Sequence, residues 1–81
     1  MKAVISFNWK GHSIHQSFDW VSIKDDINEK DDLWGEFVID GTEYQFQIHW
    51  NSFTIAIFKF GKYDCIDRVT NFSVSFNETF M

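Results

Sequence analysis

The chain lacks proline and has only one cysteine, Cys65, among its 81 residues. A single cysteine excludes an internal disulfide, so the fold must be stabilised in another way. A chain of this length buries only about 60% of the surface that its unfolded form exposes. The sixteen aromatic residues, ten Phe, four Trp and two Tyr, must therefore supply the burial, at roughly 150–250 Å² each.

Long apolar runs are also lacking, and no apolar leader follows Met1. The first absence argues against a segment that crosses a bilayer, and the second against secretion. One unpaired cysteine is typical of a reducing compartment. We therefore expect a single β-rich domain over residues 1–81 that is cytoplasmic and does not contact a membrane.

Basic residues are few, because seven Lys and Arg stand against twelve acids for a net charge of −5. Nucleic-acid binders draw most of their affinity from Lys and Arg, so direct nucleic-acid binding is not expected. The acids are concentrated in residues 25–43, where Lys30 is the only base and the net charge is −7. The eight acids of this acidic window are Asp25, Asp26, Glu29, Asp31, Asp32, Glu36, Asp40 and Glu43.

Tight-turn signals flanked by alternating apolar residues predict an antiparallel β fold. Asp40-Gly41 suits a type I′ turn, which needs positive φ at both central residues. Counting outward places Gly35 opposite Phe46, where the ring can cover the bare glycine backbone. The other pairs on this face are Ile39 with Thr42, Phe37 with Tyr44 and Leu33 with Ile48.

Two later turns continue the pattern. A two-residue loop at Asn51-Ser52 puts Ile48 opposite Ile55, and a type II′ turn at Gly61-Lys62 puts Phe58 opposite Cys65. The second pairing predicts that Cys65 is a buried core thiol. Strand 53–60 is apolar on both faces, so we expect it to be central and covered on both sides.

The two ends of the chain alternate as well. Residues 2–10 continue, through a turn at Lys10-Gly11 or Gly11-His12, into an apolar set at Ile14, Phe18 and Trp20. Residues 72–80 place four apolar side chains opposite Ser, Asn and Thr, which predicts one buried and one wet face. The apolar residues of this tail strand are Phe72, Val74, Phe76 and Phe80.

The segment from Ser22 to Leu33 does not alternate. Ser22 as an N-cap, Asp25 and Asp26 near the helix start, and apolar residues at helical spacing predict a short helix over 23–31. The competing interpretation is an acidic loop, since Asp and Asn favour turns. Either this helix or the tail strand would cover the second face of strand 53–60. The fold class is thus mainly β: a small antiparallel domain, meander or sandwich-like, of about six to seven strands and one short helix.

No catalytic, cofactor or metal motif has convincing spacing. His12, His15, His49 and Cys65 are zinc-ligand types, yet they lack paired spacing, and surface histidines are the simpler interpretation. The run 25–32 lacks the glycine and the terminal bidentate Glu of a calcium loop. We therefore expect a protein that is not an enzyme and holds neither metal nor cofactor.

Trp34 differs from Trp9 and Trp50, because alternation places it on the polar face with Glu36 and Gln47. An exposed Trp flanked by acids suits a protein-binding hot spot. The competing interpretation is that the acidic window only keeps an aromatic-rich chain soluble.

In size and charge the chain resembles small inhibitor proteins, such as bacterial immunity proteins and phage-encoded inhibitors of host defence, a likeness that assigns no residue a role. It favours an acidic module that occupies a basic surface on a partner such as a nucleic-acid-processing protein. The alternative is a small-ligand or carbohydrate-binding β domain that uses strand-end aromatics. The predicted binding residues are Asp25, Asp26, Glu29, Asp31, Asp32, Trp34, Glu36 and Glu43.

Overall fold

The computed structural model describes residues 1–29 and 33–76, and of residue 77 the backbone alone. Within these residues the chain forms two antiparallel sheets and one helix, which confirms the predicted mainly β class. The elements are β1 (Lys2–Trp9), β2 (His12–Asp19), α1 (Trp20–Glu29), β3 (Leu33–Ile39), β4 (Thr42–His49), β5 (Thr54–Lys59), β6 (Cys65–Val69) and β7 (Ser73–Asn77).

The sheets pack face to face around a core of aromatic and aliphatic side chains. One sheet has the strand order β2-β1-β7, and the other has the order β3-β4-β5-β6. The Phe7 ring of the first sheet meets Phe37 and Phe46 of the second, at centroid distances of 5.9 and 5.2 Å. Trp9 donates its indole Nε1–H to Asp67 Oδ2 at 2.8 Å, which ties β1 to β6. Aromatic packing thus holds the sheets together without a disulfide.

The β3–β4 and β4–β5 hairpins form in the predicted registers. Asp40 and Gly41 have φ of 50° and 80°, as a type I′ turn requires. Gly35 pairs with Phe46, and all the other pairs counted from this turn are present. The turn at Asn51-Ser52 is closed by a bond from Phe53 N–H to the carbonyl of Trp50, at 3.3 Å.

The structure also decides the open choice at the first hairpin. Lys10 and Gly11 have φ of 49° and 79°, and Trp9 pairs with His12. The turn is therefore Lys10-Gly11 and not Gly11-His12, and its two positive φ values again match type I′.

The last hairpin differs from its prediction. The Lys62 N–H donates to the carbonyl of Lys59 at 3.0 Å, so the central turn residues are Phe60 and Gly61. Gly61, with φ of 76°, is thus the second central residue and not the first. Phe58 still pairs with Cys65, but a register shift after Ile57 interrupts the pairing. Cys65 lies exposed on this edge strand, so the prediction of a buried thiol is wrong.

Strand β5 lies between β4 and β6, as predicted, and Ile55, Ala56, Ile57 and Phe58 are buried on its two faces. It is shorter than the predicted 53–60, because Phe53 and Phe60 lie outside it and are exposed. The predicted covers for its second face are wrong, however. Helix α1 packs against β1 and β2 with Ile23 in the core, and β7 pairs with β1. On that second face Trp34, from β3 of the same sheet, lies 5.1 Å from Phe58 between ring centroids.

Helix α1 begins at Trp20, so Ser22 lies inside it and is not the N-cap. The Trp20 N–H donates to the carbonyl of Met1 at 3.1 Å, and the Trp20 ring meets Phe76 of β7 at 5.0 Å. Strand β2 runs directly into the helix, and the contacts with Met1 and Phe76 hold Trp20 at this junction. The end of the predicted helix, at 30–31, lies outside the described residues.

The tail strand β7 keeps its predicted alternation in outline. Phe72 is buried and Val74 half-buried, whereas Ser73 and Ser75 are exposed. Phe76 is only partly covered, because it packs on Trp20 near the sheet edge. Phe80 lies outside the described residues.

Candidate protein-binding face

The outer face of the three-stranded sheet is lined mainly by hydroxyl and amide side chains. Two hydrogen bonds lie across it, between Ser6 Oγ and His15 Nδ1 at 2.9 Å and from Ser13 Oγ to Asn8 Oδ1 at 3.0 Å. We name this surface the hydroxyl face; its uncharged polar residues and histidine are Ser6, Asn8, Ser13, His15, Ser17, Ser73 and Ser75. The half-buried Val4 and the Lys2–Asp19 ion pair lie on the same side of the sheet. Hydroxyl and amide side chains are well solvated, so their desolvation contributes little to binding.

The outer face of the other sheet is different, because its β3–β4 half exposes apolar and acidic side chains, while Arg68 lies on the β6 side. Trp34 is 43% exposed and Val38 is 62% exposed. Glu36 lies between them on β3, opposite Gln45, and Glu43 lies opposite Val38. We name Trp34, Glu36, Val38, Glu43 and Gln45 the β3–β4 face. Apolar groups exposed together in this way are typical of interaction surfaces.

Trp34 is held in place by its own sheet. Alternation along β3 directs it away from the core, and its ring tilts against Phe58 of β5 with 5.1 Å between centroids. The packed side fixes the ring, while the rest of it remains open to solvent. A rigid, half-exposed indole loses little conformational entropy when it binds.

The hairpin between β5 and β6 closes one end of this face. Gly61 N–H donates to Gln45 Oε1 at 3.2 Å, and Phe60 N–H donates to the carbonyl of Glu43 at 3.1 Å. These bonds hold the hairpin tip against β4. A cleft of about 270 Å³ results, lined by Trp34, Gln45, Phe60, Gly61, Lys62 and Tyr63.

The predicted helical acids have different environments. Asp25 and Glu29 are exposed on α1, one turn apart. Asp26 is only 5% exposed, and its carboxylate accepts hydrogen bonds from the Leu33 N–H, at 3.0 Å, and from the indole Nε1–H of Trp50. Asp26 therefore links α1 to the second sheet and cannot offer its carboxylate to a partner.

The spacing of Ile23 and Asp26 was the signal for this burial, because residues three apart share one side of a helix. Asp31 and Asp32 of the predicted site lie outside the described residues. The remaining site residues fall into two groups. Asp25 and Glu29 lie on the helix, whereas Trp34, Glu36 and Glu43 lie together on the sheet.

The structure adds apolar residues that the sequence interpretation missed. Val38 shares the outward side of β3 with Trp34 and Glu36, so its alternation was the available signal. Phe60 and Tyr63 are exposed at the hairpin tip, Tyr63 to 95%. Their exposure depends on the turn position, which the sequence interpretation placed one residue too late.

The histidines and carboxylates of the described ranges do not form a metal centre. Within residues 1–29 and 33–77, no three or more His, Cys, Asp or Glu side chains are grouped so that they could hold an ion. Over the same ranges, α1 is too short and too polar to cross a membrane.

In comparisons with known proteins, no family model, curated protein or solved structure matches this chain. Its function is therefore argued from its own surface.

Proposed function

We propose that the protein binds a basic surface on another protein through the β3–β4 face and inhibits that partner by occupying the surface. The observation that carries the proposal is the difference between the two outer faces of the sandwich. One carries mainly Ser, Asn and His beside an ion pair, whereas the other exposes Trp34 and Val38 beside Glu36 and Glu43.

The composition of the β3–β4 face fits the energetics of protein interfaces. Binding energy is concentrated in a few aromatic anchors, with Trp prominent, and surrounding residues exclude water from them. Trp34 supplies such an anchor and Val38 extends the apolar area. Glu36 and Glu43 lie on the same face and favour a partner that presents Lys and Arg.

Charge supports the same class of partner. The net charge of −5 raises the rate of encounter with a basic surface and disfavours acidic partners. Exposed Asp25 and Glu29 on α1 add to this long-range attraction. A basic surface that normally binds nucleic acid, on a nucleic-acid-processing protein, is a fitting target because an acidic domain can compete for it.

A reducing, cytoplasmic setting belongs to the proposal. Cys65 is exposed and has no disulfide partner, and such a thiol persists more readily where glutathione and thioredoxin keep it reduced.

The test places two lysines on each of the two faces. Glu36→Lys with Val38→Lys alters the β3–β4 face, and Ser17→Lys with Ser75→Lys adds the same two lysines to the hydroxyl face. Proteins retained by the wild type from its native cell are identified by mass spectrometry, and the association rate is then measured with the purified partner. We expect the first variant to lose binding and the second to retain it, with circular dichroism showing that both are folded.

Salt dependence separates this function from its alternative, a small-ligand or carbohydrate-binding domain, which the aromatic cleft at the hairpin tip favours. Association steered by charge slows steeply as ionic strength rises, whereas stacking on a neutral sugar barely responds. Binding that is unaffected by salt, or by the β3–β4 variant, contradicts the proposed function.

A further inference from the structure

We infer that the cleft between Trp34 and the β5–β6 hairpin tip receives the guanidinium group of an arginine side chain of the bound protein. This inference rests on the proposed function and deepens it, because it states which side chain of the partner enters which cleft of this protein. Three aromatic residues, Trp34, Phe60 and Tyr63, line the cleft together with Gln45 and Lys62.

The cleft has room for a single long side chain, since its volume is about 270 Å³. The cleft is also open along one side, next to the β3–β4 face. A side chain that projects from a docked protein can enter it without leaving the interface.

The walls of the cleft are held by contacts within the sheet. Trp34 leans on Phe58, and Gln45 uses its Oε1 to accept the Gly61 N–H. The Phe60 backbone is fixed by the bond from its N–H to the carbonyl of Glu43. The Trp34 ring is thus in position before a ligand arrives, which lowers the entropy cost of binding.

The charge around the cleft favours a cation. Glu36 is the cross-strand neighbour of Gln45, and Glu43 precedes Gln45 on the same side of β4. Lys62 is the only basic residue among those that line the cleft. Glu36 and Glu43 do not line the cleft, but their charge on the adjoining β3–β4 face attracts a positively charged group. The π faces of Trp and Tyr add cation–π attraction.

Arginine fits better than lysine for a geometric reason. Its planar guanidinium stacks on aromatic faces and sheds water more easily than an ammonium group does. Its donors can also reach the neighbouring carboxylates, as the fork of a guanidinium does with Glu in other proteins.

The first experiment titrates the protein with N-acetyl-arginine amide and observes the Trp34 indole N–H and the Gln45 side-chain amide by NMR. N-acetyl-citrulline amide is the control, because it has nearly the same shape and no charge. We expect saturable shifts of both signals with the arginine probe and several-fold weaker binding of the citrulline probe. Equal binding of the two probes overturns the inference.

Variants locate the site. Tyr63→Ala should weaken arginine binding and leave the fold intact, because the Tyr63 side chain is almost fully exposed. Phe53→Ala, at an exposed aromatic outside the cleft, should leave binding unchanged. Lys62→Ala should strengthen binding, since it removes a like charge. Weaker binding by Lys62→Ala, or larger shifts of the same signals with a neutral disaccharide, contradicts an arginine site.

The two proposals can fail separately. If Glu36→Lys with Val38→Lys abolishes partner binding but Tyr63→Ala leaves its affinity unchanged, the β3–β4 face stands and the arginine site fails. If the arginine probe binds as expected but the β3–β4 variant binds the partner as the wild type does, the arginine site stands and the proposed function fails.

Discussion

At the residue scale, Gly35 and Phe46 depend on each other. They are cross-strand partners in the β3–β4 hairpin, and the Phe46 ring lies directly over the glycine. A Cβ added at Gly35 would overlap the ring atoms farthest from the Phe46 backbone. Phe46 is fully buried, so its ring has no free space into which it can move. The missing side chain of Gly35 is therefore part of the core packing.

We predict that Gly35→Ala lowers the free energy of unfolding by about 1–3 kcal/mol, the usual cost of overpacking. The cost of this substitution should fall in a Phe46→Leu background, because leucine lacks the overlapping ring atoms. Urea unfolding of both single variants and the double variant measures the coupling. Glu36→Ala, next to Gly35 on the exposed side, is the control and should change stability by no more than about 0.5 kcal/mol. Strictly additive costs would show that the two residues do not interact.

At the element scale, helix α1 is joined to the second sheet by one buried carboxylate. Asp26 accepts the backbone N–H of Leu33, where β3 begins, and the indole N–H of Trp50, after the end of β4. The acid therefore positions the helix relative to the four-stranded sheet.

Neighbouring acids on α1 offer a matched test of this role. We predict that Asp26→Ala destabilises the fold by roughly 1–3 kcal/mol, because two part-buried donors lose their acceptor. Asp25→Ala, at an exposed neighbour, should cost no more than about 0.5 kcal/mol. Chemical denaturation followed by circular dichroism compares them, and equal losses would contradict the structural role of Asp26.

At the scale of the whole molecule, the sandwich is joined across its two sheets by aromatic contacts and by the Trp9–Asp67 hydrogen bond. The Trp9 indole N–H, and next the backbone N–H of Arg68, lower the pKa of the Asp67 carboxyl below its ordinary value of 3.8. The Lys2 ammonium, which bonds to Asp19 at 2.8 Å, lowers the pKa of that carboxyl as well.

A carboxyl whose pKa is lowered by folding stabilises the protein at pH values above its pKa in the unfolded chain. This contribution is lost as the pH falls through its pKa in the folded protein. We predict a melting temperature that declines as the pH falls below about 4. Asp67→Asn should decline less than the wild type does, because it has already lost this contribution. Asp64→Asn removes an exposed charge nearby and should keep the acid response of the wild type. Equal declines for Asp67→Asn and the wild type, measured by thermal melts, would contradict this account.

The candidate site was predictable in part, because alternation alone places Trp34, Glu36 and Glu43 on one outward face. The position of Tyr63 and the cleft beside it was not, since it depends on where the last turn closes. The hydrogen bonding of buried Asp26 could not be predicted either, because its donors, Leu33 and Trp50, lie outside the helix.

The sequence by itself determined the hairpins that join β3, β4 and β5, their registers and the side of these strands that faces the core. Those features depend on turn chemistry and on the two-residue period of a strand, which act between near neighbours. It did not determine the closing residues of the last turn or the exposure of Cys65. Only the tertiary structure decided that β7 joins β1, that α1 packs against β1 and β2, and that the outer face of β5 is covered from within its own sheet. These depend on contacts between residues distant in the chain, and local patterns favour several such arrangements equally.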